Sequence, residues 1–173
     1  MPRKIFQTVR GERPVPGGTR VELELRIATD PIPGVLLLPG GAGRAPATLL
    51  LHGYSSRKED LANGVGLALL RRGVASLSID LPLHGARADP AAVRAAQGPL
   101  ALFSLWRTAL PECAAALGYL AAHPRTDAER LAVAGYSLGS FLALSLAASQ
   151  RSVRATVVAA GGDLPAGMPF SGV

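Results

Sequence analysis

The sequence predicts an α/β fold, a mostly parallel twisted sheet flanked by helices on both faces. Three observations carry that prediction. Continuous apolar runs at 47–52, 74–79 and 131–136 have the length and hydrophobicity of strands buried on both sides. The first two are joined by an amphipathic helical stretch with short connections, a strand–helix–strand unit that demands a parallel pair. The third run breaks at Gly135-Tyr-Ser-Leu-Gly139 and restarts as a helix.

The elements follow in chain order. Residues 5–9 and 20–28 alternate apolar and polar side chains, which predicts two strands with one solvated face, antiparallel and at one edge of the sheet. The proline- and glycine-rich residues 14–18 turn the chain between them. Pro31 and Pro33 interrupt the pattern before a third strand at 34–39. The glycine-rich 40–46 is a loop and no phosphate cradle, because no helix opens directly after it. Ser56 and Glu59 have the spacing of a capping box, and Leu61, Val65, Ala68 and Leu69 then line one helical face. Arg71, Arg72 and Gly73 suit that helix's C-terminus. Residues 86–98 lack a clear period. The stretch 100–122 is helical in pattern, with Pro111 ending or kinking it. Phe103, Trp106 and Leu110 share a face before the proline, and Cys113, Leu117 and Leu120 share one after it. Residues 126–129 read as a turn, and 153–159 as a further strand.

Composition bounds the rest. The chain has 173 residues, which predicts a single domain: N-terminal strands over 1–46, the core over 47–160 and a short tail at 161–173. Its one cysteine, Cys113, permits no disulfide within the chain and belongs on an apolar helix face. The net charge of +6 comes from scattered arginines without interleaved aromatics, so a nucleic-acid partner is not expected. The N-terminus lacks the apolar core of a signal peptide, and no run reaches membrane-spanning length. The expectation is a cytoplasmic protein with no membrane partner, and the pattern calls for neither a cofactor nor a metal ion.

The spacing of Gly135, Ser137 and Gly139 is that of a nucleophile elbow, G-x-S-x-G. The serine backbone is forced into an unfavourable region so that its hydroxyl stands clear of the sheet, and side chains two residues to either side would collide around the turn. The amide of Leu138, first in the helix, then points where an oxyanion forms. Ser137 is accordingly the candidate nucleophile.

Three motifs in order, Leu49-Leu-Leu-His-Gly-Tyr54, Asp80-Leu-Pro-Leu-His-Gly85 and the elbow, resemble the α/β-hydrolase superfamily, particularly its dienelactone-hydrolase-like and acyl-esterase branches. The resemblance implies a small-molecule ester as substrate and an acyl-enzyme on Ser137. It implies an oxyanion hole made by the amides of Tyr54 and Leu138, and a strand at 131–136 between those at 47–52 and 153–159. It assigns His52 and His84 to turns that brace loops; His123, at a helix end, fits the part of base least. The family places its acid and then its histidine after the nucleophile. After Ser137 this sequence has no histidine, and Asp163 is its only acidic residue. Asp163 is a weak candidate acid, since a plain turn aspartate explains it as well. The resemblance therefore implies a fold missing its C-terminal third. The alternative to an active hydrolase is an incomplete fragment, or half of a split enzyme, with the open edge at 153–159 recruiting a second copy or a completing chain.

Overall fold

The structure is a computed structural model and describes residues 5–27, 30–41, 43–95 and 99–161. These build a seven-stranded mixed sheet in the order β1-β2-β3-β5-β4-β6-β7. Its parallel half comprises β4 (Ala45–Leu51), β5 (Ala75–Ile79), β6 (Thr126–Tyr136) and β7 (Val153–Ala159). Against β5 lies β3 (Pro31–Pro39), antiparallel, followed by β2 (Gly18–Arg26) and β1 (Phe6–Val15). The three apolar runs thus sit side by side at the centre. The 131–136 segment lies between 47–52 and 153–159, and the N-terminal pair is antiparallel at one edge, all as expected.

Several boundaries differ from the sequence reading for identifiable reasons. β1 runs on to Val15 rather than stopping at residue 9, because an edge strand tolerates Pro14. Pro31 and Pro33 lie inside β3 instead of interrupting it: they pair with Arg26 and Glu24 of β2, in the part of β3 that β5 does not flank. Residues 126–129 belong to β6, whose register against β4 jumps from Ala45↔Thr126 to Ala47↔Leu131. The intervening turn is a bulge held by Asp127, which accepts Glu129 N–H at 3.0 Å and the Arg130 guanidinium at 2.7 Å. The irregular 86–98 holds a 3₁₀ turn (Gly85–Arg87) and a short helix α3 (Pro90–Ala95), with 96–98 outside the described residues.

The first crossover is α1 (Lys58–Leu61), a π turn (Ala62–Gly66) and α2 (Leu67–Leu70). It starts one residue later than Ser56 predicts. The cap is Arg57, and the acid that reaches back is Asp60, which accepts the Arg57 amide at 3.2 Å and the Ser56 hydroxyl at 2.7 Å. The π turn then rotates the buried face, so Ala62, Gly66 and Leu70 point inward and Val65 is exposed, not the predicted set of 61, 65, 68 and 69. Gly73 closes the segment as expected, at φ +74° with its amide on the Leu70 carbonyl. The helix α4 (Pro99–Ala122) passes through Pro111, which lies on its exposed side.

Two apolar layers hold the sheet. Leu25, Leu36, Leu49, Leu51, Leu77, Ile79 and Val133 pack under α4 and under α5 (Leu138–Ser149). On the opposite face Val35 and Leu37 meet Ala62 and Leu70. Cys113 is wholly buried on the inner side of α4, and that burial pushes its thiol far above the ordinary range, as its apolar surroundings predict.

Candidate active site

The end of β6 and the start of α5 form the turn that the glycine spacing requires. Ser137 has φ +49° and ψ −113°, a conformation L-residues avoid. Both neighbouring glycines are obligatory here. A Cβ on Gly135 would sit less than 3.0 Å from the Gly139 backbone, and one on Gly139 less than 3.0 Å from the carbonyl of Leu51. The strain is held by bonds to β7: Ser137 N–H donates to the Ala159 carbonyl at 2.8 Å. Beneath it Ser140 Oγ lies 2.8 Å from the carbonyls of both Gly135 and Ala159 and accepts Ala159 N–H at 3.1 Å. This serine ties β6, β7 and α5 together, and no period or motif in the sequence singles it out. The Leu138 amide, first in α5, has no intrahelical acceptor.

The strand β4 delivers the second turn to the same place. A Cβ on Gly53 would meet the Tyr136 ring at 3.0 Å and Ser137 Cβ at 3.3 Å, so the His52-Gly53 turn lies directly against the elbow. Tyr54 follows it with its side chain 61% exposed, and Ser55 takes φ +61° to complete the turn. Ser137, Leu138 and Gly53-Tyr54 are therefore brought together by β4 and β6 being neighbours.

His52 is fully buried. Its Nε2 accepts the Leu81 amide at 3.1 Å, and its Nδ1 lies 2.8 Å from the Gly53 carbonyl. A backbone N–H only donates, so Nε2 carries the lone pair and Nδ1 the proton. Burial is the main cause that holds this imidazole below its ordinary pKa, with the neighbouring His84 adding to it and the Gly53 bond opposing. Both nitrogens are occupied, which is the bracing part expected of it. His84 sits nearby between two left-handed residues, Leu83 at φ +65° and Gly85 at φ +54°. Its Nδ1 donates to the Pro82 carbonyl at 2.8 Å, and its ring stands edge-on to Tyr54 with centroids 5.2 Å apart.

The turn bearing His84 is anchored by Asp80, fully buried at the end of β5. Its carboxylate accepts the Lys58 amide at 2.9 Å, the Lys58 ammonium at 3.0 Å and the Ala86 amide at 2.9 Å. Burial works against the Lys58 charge, but the Glu59 and Asp80 carboxylates outweigh it and hold the amine above its ordinary pKa. Arg87 donates to the Asp80 carbonyl and forms a bidentate, largely buried pair with Glu112 of α4. Lys58, Arg87 and Glu112 carry no signal in the sequence, where each reads as an ordinary surface charge.

His123 precedes β6, whereas Ser137 follows it, so the length of that strand, roughly 30 Å, separates them. Asp163 lies outside the described residues. Gly161, two residues before it, packs on Ser140 and on the Ser137 carbonyl. Among the described residues no group of three or more His, Cys, Asp and Glu side chains is arranged to hold a metal ion. Among them, too, no helix is long and apolar enough to cross a membrane.

Comparison with known proteins agrees with this architecture. Residues 48–173 match the alpha/beta hydrolase family. The polyketide transferase ATR5 of Stachybotrys chlorohalonatus is 29% identical over 142 residues, covering 82% of this chain and 44% of the relative. A putative acetyl xylan esterase from Bacteroides fragilis superposes with a TM-score of 0.77 at 17% identity, over 87% of this chain and 47% of that one. Acetyl xylan esterase 1 from a Thermoanaerobacterium species gives 0.67 at 22% identity, over 90% and 52%. The chain thus spans about half the length of these relatives.

Proposed function

The chain belongs to the alpha/beta hydrolase family, and from that premise we propose that it is built as a serine hydrolase for carboxylic esters, with Ser137 as nucleophile. The observation that carries the reading is the Ser137 backbone, kept at φ +49° by two glycines that admit no side chain. Strain of about 1–3 kcal/mol persists only where the surroundings enforce it, and here it lifts a hydroxyl to the head of a helix. In the proposed reaction Ser137 Oγ adds to the ester carbonyl carbon while the Leu138 and Tyr54 amides stabilise the oxyanion. The bond to the alcohol breaks, the Oγ proton passes through a base to the departing alcohol, and water then releases the carboxylic acid from Ser137. Asp163 remains the weaker candidate for the acid. Soluble small-molecule esters and a cytoplasmic setting complete the proposal.

A second reading is favoured by the histidines. Of the three in the chain, His52 has both ring nitrogens occupied and His123 lies at the far end of β6. On this reading the base and its acid come from a completing segment or partner, and the described chain alone turns over slowly. Loss of a triad member lowers turnover by up to about 10⁶, leaving roughly 10³–10⁴ over water. Hydrolysis of a nitrophenyl ester by the chain and by Ser137→Ala tests both readings. Brisk turnover abolished in Ser137→Ala supports the complete enzyme, and His84→Ala then asks whether the remaining histidine is its base. Feeble turnover little changed in Ser137→Ala supports the incomplete one. Brisk turnover that survives in Ser137→Ala contradicts a serine mechanism.

A further inference from the structure

The His52 ring donates to the carbonyl of Gly53, and that carbonyl shares one peptide unit with the amide of Tyr54. The unit is planar and trans, so its C=O and N–H point in opposite directions. Fixing the Gly53 oxygen on the His52 side of the turn therefore fixes where the Tyr54 hydrogen points. Gly53 also packs against Tyr136 and the Tyr54 ring stands edge-on to His84, but the Gly53 oxygen's other hydrogen bond is a long one, from Ser56 N–H at 3.3 Å. The His52 bond is shorter, at 2.8 Å, and it comes from a ring with no solvent exposure.

The ring is itself held from behind. Leu81 N–H points into Nε2, which excludes a proton there and leaves Nδ1 as the donor. Leu81 begins the turn that Asp80 clamps to Lys58 and that Arg87 clamps to Glu112. A continuous chain of bonds thus runs from α4 and α1 through the Asp80 turn to the imidazole, and on to the peptide beside Ser137.

We infer that His52 is a positioning residue that sets the orientation of the Gly53–Tyr54 peptide, and with it one donor of the oxyanion hole. This rests on the reading of Ser137 as nucleophile. The two ring nitrogens have different partners, so two amide side chains separate their parts. The nitrogen of Asn overlays Nδ1 and still donates to Gly53; the end of Gln overlays Nε2 and keeps only the Leu81 bond. Each variant retains one of the two hydrogen bonds, so simple loss of stability does not distinguish them.

The test compares His52→Asn and His52→Gln in the full chain by nitrophenyl ester kinetics, thermal unfolding and the backbone amide resonance of Tyr54. His52→Gln is expected to lower kcat by about 10²-fold at little-changed KM, the loss that follows removal of one oxyanion donor, and to shift the Tyr54 resonance. His52→Asn is expected to keep kcat within a few-fold and the resonance in place, while melting as low as His52→Gln. Equal kcat in the two variants, or a Tyr54 resonance indifferent to His52→Gln, overturns the inference. If a brisk ester rate survives in Ser137→Ala, the nucleophile reading fails separately; in that case, or if turnover is too feeble to compare, the resonance alone still decides whether His52 orients that peptide.

Discussion

Ser137 and the two glycines that flank it put the whole turn under steric control. Gly135→Ala and Gly139→Ala each drive a methyl into backbone that has nowhere to go, and each is expected to lower unfolding free energy by more than about 3 kcal/mol in urea titration. At Gly64, on the exposed side of the π turn, an added methyl would find nothing within 4 Å, so Gly64→Ala is expected to be neutral or to stabilise by up to about 1 kcal/mol. Equal effects at the three positions would contradict the steric argument. His52 gives a pH prediction. Its folded pKa lies below the ordinary 6.5, so below that pH the unfolded chain gains a proton that the native ring refuses. Stability should therefore fall as pH drops through about 6.5 and go on falling until the folded pKa is passed. His123, lowered by burial and by Arg125, adds to the same slope. Melting curves between about pH 7.5 and 5 should show the fall, and His52→Asn should make it shallower. At this scale the glycines and serine are legible in the sequence, because steric exclusion leaves a fixed spacing. Ser140, Lys58 and Glu112 are not, because their partners lie on other elements and no local pattern encodes a long-range bond.

The strands are legible for the same reason that they are central. Runs such as Leu49 to Leu51 are hydrophobic on both faces because helices cover both. The first crossover departs from its sequence pattern where tertiary packing overrides local signals. Gly66 packs so closely on Leu37 and Ser76 that an added Cβ would lie 3.0 and 3.1 Å from them, and the π turn with the one-residue shift of the cap changes the buried face. The Asp80 turn shows how elements are fastened to one another. Arg87 and Glu112 have side chains only 11% and 7% exposed, so Glu112→Ala strands a guanidinium in the interior. The expected loss is about 3–5 kcal/mol, whereas replacing both residues with Met should recover most of it. Urea unfolding of the single and double variants checks this, and a double variant as unstable as Glu112→Ala would oppose it.

At the scale of the whole molecule, β7 is an edge strand among the described residues, with Val157 58% and Val158 41% exposed and Arg154 the only charged residue of the strand. Unpaired, weakly charged edges recruit further strands. We expect the chain to self-associate or to bind a completing partner there, with Val157→Lys reducing the effect. Light scattering that finds a monodisperse monomer at high concentration before any substitution would count against it. The same edge bears on the proposed chemistry, since Ser137 N–H bonds the Ala159 carbonyl at the end of the β6–β7 pairing and Gly161 packs beside the elbow. The central claim is that Ser137 forms the covalent bond. Mass spectrometry of the full chain after prolonged incubation with an activated ester measures this directly, because an acyl group accumulates wherever attack outruns release. The added mass is expected on the peptide containing Ser137, and is expected to be lost in Ser137→Ala. Ester turnover with the acyl group on another residue, or with Ser137 never modified, would contradict it.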